Sequence, residues 1–318
     1  MDIRGIIVHP EDLTTGWLDR MADAHLNTLG LHPVGGRRAP LTLQAAIDAF
    51  AAPESVFLRE EAKKRGITVQ YEAHALGWLM PKEEFSAHPG WFRMNENGER
   101  TNDFNCCPSS PEALDFLAER TCTLAKLLDT GTDRYFFWPD DIAGGGCSCP
   151  KCRGLSAGDQ QLRLVNAMLK GLKKYRPTAR LSYLAYHDSL MVPAETLPED
   201  GVTLEYAPFN RDPHAPMDDP NSEKNAKETA CLPALLKFFG TKNSRVLEYW
   251  TDNSMYSNWT KPPKPFTLDE AVMEKDAAYY RSLGFEEITA FGCFLGPDYD
   301  ELYGEADLTR YGEILEKA

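Results

Sequence analysis

With 318 residues, 42% of them hydrophobic and 26% charged, the chain is long enough for one large domain and has the composition of a water-soluble globular protein. A formal net charge of −14 argues against a nucleic-acid partner, because such binding rests on clustered lysine and arginine. No basic start followed by an apolar run marks export, and no stretch approaches the ~20 apolar residues of a membrane span. A cytoplasmic location is therefore expected, with a truncated secreted chain as the alternative, and the eight cysteines are expected as free or metal-bound thiols rather than a disulfide framework.

Residues 3–9 form an apolar run of strand length ending at His9-Pro10. The spacing of Leu18, Met21, Ala22 and His25 predicts a helix after it, with Thr15 as the cap. Residues 29–32 are a second, short strand, again with a histidine where the chain turns. The segment 35–53 is rich in glycine, alanine and proline and is expected to be a loop carrying a short helix. A helix over 57–64, closed by Gly66, leads to a strand over 67–74 that ends Tyr71-Glu72-Ala73-His74. The following stretch, 78–107, is long, aromatic and polar, and loops of that length in compact domains are usually functional. Ser110-Pro111-Glu112 places a cap, a first-turn proline and an acid in series, a strong helix start. That helix feeds a strand over 134–138. Leu162, Val165, Met168, Leu169 and Leu172 then recur at helical spacing, up to a basic last turn before Pro177. Further strands are expected over 181–186, 202–206, 245–250 and 288–294, with helices over 232–239 and 269–283.

About eight strands alternating with helices favour a closed (β/α)8 TIM barrel over an open sheet. No Gly-x-Gly-x-x-Gly follows a strand to suggest a dinucleotide fold. No linker divides the sequence, so one α/β barrel domain with long βα loops is expected over residues 1–318.

In such a barrel the residues just after each strand converge on one rim. Collected there are His74, Trp138, Asp140, Asp141, Tyr186, His187, Glu205, Tyr206, Asn210, Glu248, Trp250 and Asp252. Carboxylates supply the acid, base or nucleophile of glycosidic cleavage and aromatic faces stack on sugars, so a carbohydrate site is expected. The plainer alternative is that about half of these aromatics plug the barrel, because strand residues alternate inward and outward. His9 and His32 follow the first two strands, but no His-x-His follows the first, which disfavours a catalytic metal. His74 and His187 are expected to hydrogen-bond substrate hydroxyls.

Tyr135-Phe136-Phe137-Trp138-Pro139-Asp140-Asp141 is the sharpest stretch, an aromatic strand ending in adjacent carboxylates. Partly desolvated, the two raise the pKa of at least one, which makes a usable general acid. Neighbours in an extended chain point to different sides, so one can protonate a leaving oxygen while the other orients a second group, such as a 2-acetamido. The alternative is that Asp141 caps the loop and Asp140 pairs with an arginine. Cys147-x-Cys149-x-x-Cys152 follows a run of three glycines and can wrap one ion, with Cys107 (or Cys106) as the fourth ligand. A filled thiolate tetrahedron has no open position, so structural zinc is expected, the alternatives being a disulfide or free thiols. Cys122, Cys231 and Cys293 sit in apolar runs and are expected in the core.

Trp138-x-Asp140-Asp141, the thiol spacing, Asn166, Leu184-Ala185-Tyr186, Leu247-Glu248-Tyr249-Trp250 and Cys107 four residues before Pro111-Glu112 resemble domain-of-unknown-function family 4838. The resemblance runs from about residue 67 to the end. It implies a bacterial barrel similar to glycoside hydrolases, related to endo-β-N-acetylglucosaminidases. Asp140-Asp141-Ile142 is also similar to the aspartate pair of the O-GlcNAc hydrolase family. That likeness implies that Asp140 polarises the substrate's 2-acetamido group and that Asp141 is the general acid/base. The expected function is thus a retaining, substrate-assisted glycoside hydrolase acting on N-acetylhexosaminides. Tyr186, Glu205, Asn210, Glu248 and Trp250 would contact the sugar. The rivals are a glycosidase using Asp141 with Glu205 or Glu248, and a non-catalytic glycan-binding barrel.

Overall fold

The computed structural model describes all 318 residues. Eight parallel strands, β1 (Ile3–Val8), β2 (Thr28–Leu31), β3 (Thr68–His74), β4 (Arg134–Trp138), β5 (Arg180–Ala185), β6 (Val202–Tyr206), β7 (Arg245–Glu248) and β8 (Glu287–Phe291), close in sequence order into a (β/α)8 barrel. The register brings Ile6 beside Leu29 and Ala290, and His74 beside Trp138. Every strand expected from sequence is present. The observed ends fall up to three residues short, because apolar runs continue into loops that leave the sheet.

Helix boundaries follow local chemistry. Thr14, not Thr15, caps the first long helix, Thr15–Asp23, accepting the Trp17 N–H at 3.2 Å. Ser110 caps Pro111–Leu127 and Ser156 caps Ala157–Tyr175. Residues 35–53, expected to be a loop carrying a short helix, hold a longer one of 11 residues, Ala39–Ala49, and the helix expected over 57–64 starts earlier, at Pro53. No helix is long and apolar enough to cross a membrane.

The chain divides into two compact units, one comprising Met1–His32, Ala52–Gln70 and Glu205–Ala318, the other Pro33–Ala51 and Tyr71–Leu204. In the first, Ile6, Ile7, Trp17, Tyr280, Phe285 and Tyr311 are fully buried. Gly5 lets β1 approach its neighbours closely, since a Cβ there would lie 2.7 Å from the Thr289 methyl and 2.9 Å from the Thr28 carbonyl oxygen. In the second unit, helices Pro111–Leu127 and Ala157–Tyr175 pack closely through Gly171, where a Cβ would come within 2.0 Å of the Ala118 carbonyl oxygen. This contact holds the helix leading into β4 against the helix that joins β4 to β5.

Candidate active site and thiol cluster

The carboxylates after β4 diverge, as alternation in an extended chain requires. Asp140 turns toward backbone. Its Oδ1 accepts the Gly77 N–H at 2.9 Å and its Oδ2 the Asn105 N–H at 2.7 Å, while its own N–H donates to Asn105 Oδ1 at 3.0 Å. Burial pushes its carboxyl up, against the opposing pull of the Asn105 amide and of His74. The arginine partner considered for it from sequence is replaced by these two amides. Asp141 turns to the ends of the flanking strands. Tyr186, just past β5, donates its hydroxyl to Asp141 Oδ1 at 3.1 Å, and His74 Nε2, at the end of β3, lies 4.0 Å from the same oxygen. A third of the Asp141 side chain stays exposed.

His74 is oriented from behind. Its Nδ1 lies 2.7 Å from the Pro139 carbonyl oxygen, which can only accept, so Nδ1 carries a proton and Nε2 faces Asp141. Trp138 meets the imidazole edge-on at 5.1 Å, and its indole N–H reaches Ser182 Oγ at 3.2 Å. Burial and the Asp141 charge push the Tyr186 hydroxyl well above its ordinary range, so it remains a donor. His187, in the left-handed region at φ +48°, sets its ring 4.0 Å from that of Tyr186. Asp140, His74, Asn105, Tyr186 and His187 border a cleft of about 80 Å³, far below the several hundred Å³ of a typical ligand pocket.

Beside this cleft, Cys107, Cys147, Cys149 and Cys152 are buried with their sulfurs all within 4.8 Å of one another. Cys107 lies 3.8 Å from both Cys149 and Cys152, too long for a disulfide but close to the ~3.8 Å edge of a tetrahedron with metal–sulfur bonds of about 2.3 Å. Cys107 is thus the fourth member, and Cys106 stays outside the group. Met94 N–H donates to Cys147 Sγ at 3.3 Å, and Ser109 and the Arg100 guanidinium also reach the cluster.

The remaining residues expected to contact a sugar are taken up by other partners. Trp138 is 1% exposed, so it supports His74 and offers no face to a sugar. Tyr206 is fully buried with its hydroxyl on the Glu228 carbonyl, and Asn210, exposed, faces the Glu228 carboxylate at 3.4 Å. Glu205 is 0% exposed and held by the Arg245 guanidinium, which makes it an internal ion pair rather than a sugar contact. Glu248, equally buried, accepts from Arg211 at 2.7 Å and from the Tyr280 hydroxyl. Arg211 also pairs with Asp276 at 2.6 Å, and Asp276 in turn accepts the Trp250 indole N–H at 2.9 Å. Asp252 caps a short helix, Asn253–Tyr256, through Ser254. Apart from Trp138, which belongs to the second unit, these side chains are structural partners in the first unit.

A family model described as "Domain of unknown function (DUF4838)" matches residues 49–285, well over half of the chain. The chain belongs to this family. No curated protein sequence matches this DUF4838 chain. Among solved structures it is similar to the cold-adapted β-galactosidase of Rahnella sp. R3, with TM-score 0.56 and 13% identity, covering 99% of this chain and 55% of that one. It is similar to Gan42B, a GH42 β-galactosidase, with TM-score 0.58 and 13% identity over 99% of this chain and 55% of that one. A GH5 endo-β-1,4-glucanase from Bacillus licheniformis aligns at TM-score 0.55 and 10% identity over 98% and 58%. The DUF4838 chain thus spans little more than half the length of these proteins, and at such identities the likeness is one of fold.

Sequence reasoning missed Gly77, Asn105 and Gln160. Gln160 brackets Cys147, accepting its N–H at 2.7 Å and donating to its carbonyl at 3.2 Å. Asn105 carried one signal, its place two residues before Cys107 in the long loop. Gly77 and Gln160 carried none.

Proposed function

We propose that this chain hydrolyses glycosidic bonds, with Asp141 exchanging a proton with the glycosidic oxygen. The observation that carries the reading is the setting of Asp141, a partly exposed carboxylate at the C-terminal end of β4, ordered by the Tyr186 hydroxyl and faced by His74 Nε2. Active sites of (β/α)8 barrels are built at this face, and similarity of fold to β-galactosidases and an endo-glucanase supports a carbohydrate substrate. The proposed partner is thus a glycan, with no nucleic acid or membrane involved.

A double displacement needs a second carboxylate as nucleophile. Glu205 and Glu248 are both fully buried beside arginines. A substrate that brings its own nucleophile fits better. In an N-acetylhexosaminide the acetamido oxygen attacks the anomeric carbon, the bond to the leaving oxygen breaks, and Asp141 delivers the proton. Water then opens the cyclic intermediate, with Asp141 taking a proton from it. Asp140 would accept the acetamide N–H through a lone pair that Gly77 and Asn105 leave unused. The small cleft that Asp140 borders suits an acetamido group and not a whole sugar ring. Hydrolysis of aryl glycosides, N-acetylated and plain, by wild type and Asp141→Ala tests the reading. Turnover of the N-acetylated set, abolished by the substitution, is expected. Turnover of plain glycosides alone would require a separate nucleophile, and silence across the panel would favour a glycan-binding barrel.

The four cysteines are proposed to hold one structural zinc ion. Four thiolates complete its tetrahedron, so the metal would supply rigidity and no catalytic chemistry. Elemental analysis of the purified chain should give one zinc per molecule. Stoichiometric iron, or no metal, would refute the assignment.

A further inference from the structure

Asn105 stands between the thiol cluster and the aspartates and touches both sides. Its backbone N–H donates to Asp140 Oδ2, and its Oδ1 accepts the Asp140 N–H, so residue and aspartate are locked reciprocally. With the remaining donor of its amide, Nδ2, it holds the Gly145 carbonyl at 3.0 Å. Asn105 lies two residues before Cys107, and Gly145 two residues before Cys147. The two chain segments that enter the cluster are therefore cross-linked twice, once by sulfur and once by Asn105. Each segment also bonds the stretch 91–94: Ser148 N–H donates to the Met94 carbonyl at 2.7 Å, and Cys107 N–H to the Trp91 carbonyl at 2.7 Å.

The position is demanding. Asn105 sits in the left-handed region at φ +47°, which asparagine tolerates better than most residues. A Cβ on Gly145 would lie 2.7 Å from Asn105 Nδ2, so only glycine lets the two segments approach this closely. On the far side of Asp140, Gly77 completes the cradle; a Cβ there would lie 2.8 Å from the Pro40 ring and 3.2 Å from Asp140 Oδ1. Neither cysteine segment can shift without pulling on Asn105, and Asn105 cannot move without releasing Asp140.

We propose that Asn105 is a positioning residue that couples occupancy of the four-cysteine metal site to the orientation of Asp140. The coupling rests on Asp140 belonging to the functional site and on a metal at the thiols, and is independent of which bond the protein breaks. Losing the metal frees Cys107 and Cys147, loosens the Asn105–Gly145 contact, and lets both amides that hold the Asp140 carboxylate open to solvent.

Hydrogen exchange of the Gly77 and Asn105 amides, in the full chain with zinc bound and after its removal by chelation under reducing conditions, reads this directly. The β4 amides serve as a control for global unfolding. In wild type, zinc removal should speed exchange at both amides by roughly 10–100-fold, the scale of losing one hydrogen bond to a charged group, with β4 still protected. In Asn105→Ala, Gly77 should exchange fast whether or not zinc is present. Asn105→Gly, which keeps the left-handed backbone and drops the side chain, should behave like Asn105→Ala. Unchanged exchange in wild type after zinc loss would overturn the proposal, as would simultaneous loss of protection along β4, or a chain that neither carries nor takes up zinc. Failure of the glycosidase reading would leave this readout untouched.

Discussion

Replacing Asp141 by asparagine keeps the shape of the site and removes its proton. Positioned proton transfer contributes typically about 10²–10⁴-fold to rate, so Asp141→Asn should lower kcat/KM by that factor on a substrate whose leaving group needs protonation. A dinitrophenyl glycoside, whose leaving phenolate is stable without a proton, should lose far less. Tyr186→Phe probes the same group more gently. A hydrogen bond to a charged group is worth ~1.5–3 kcal/mol when buried. With a third of Asp141 exposed, water replaces part of that bond, and about 1 kcal/mol remains, roughly a fivefold loss of kcat. In the Asp141→Asn background the tyrosine change should cost almost nothing further, because the charge it served is gone. Steady-state kinetics of the four proteins on the two substrates supply the comparison. If Asp141→Asn slowed both leaving groups equally, Asp141 would not be the proton donor and the mechanism drawn from its geometry would fail.

Burial raises the Asp140 carboxyl, so it takes up its proton above the ordinary aspartate range near ~4, and kcat/KM should begin to fall on the acid side before that pH is reached. A raised folded-state pKa also gives Asp140 a contribution to stability that is fully present below its unfolded pKa of ~3.9 and lost as pH rises through the folded value. Urea unfolding of wild type and Asp140→Asn should therefore show the wild-type advantage shrinking from pH 4 to pH 7. Gly171→Ala drives a Cβ against the Ala118 carbonyl oxygen, 2.0 Å away in the present backbone. Overpacking of this kind costs about 1–3 kcal/mol, and calorimetry should show Tm lowered by several degrees. Arg245→Met leaves Glu205 buried without its guanidinium and should cost roughly 3–5 kcal/mol in urea; adding Glu205→Leu should recover most of the loss.

The barrel was legible because its information is local. Each strand is a segment of four to seven residues in which apolar side chains recur, and helix starts carry their own chemistry, such as Ser110-Pro111 before the helix into β4. The thiol cluster was legible for the same reason, since three of its four cysteines lie within six residues. The errors came where composition misled. Residues 35–53 look like loop by their glycine and proline count, yet both prolines at 40 and 53 sit in first turns, where they favour a helix. The burial of Trp138, Tyr206 and Trp250 was foreseen only as a proportion, because a strand-end aromatic reads the same whether it points into the barrel or out of it.

Carboxylates posed the harder problem. Glu205 and Glu248 look like Asp141 in sequence, each an acid beside aromatics at the end of a strand. What separates them is the partner. Arg245 stands 40 residues from Glu205 and Arg211 stands 37 residues from Glu248, and each cancels a charge that burial would otherwise forbid. For Asp140 the deciding partners are backbone amides, and a backbone N–H has no sequence signature at all. Gly77 is 63 residues away and Asn105 is 35. Asp141 becomes the candidate proton donor because none of these distant groups claims it: its partners are a tyrosine hydroxyl and an imidazole at the ends of the two neighbouring strands, and a third of it remains open to water. Adjacency of two aspartates therefore marks where a site can form. Contacts arriving from far along the chain determine which aspartate is anchored and which is left to react.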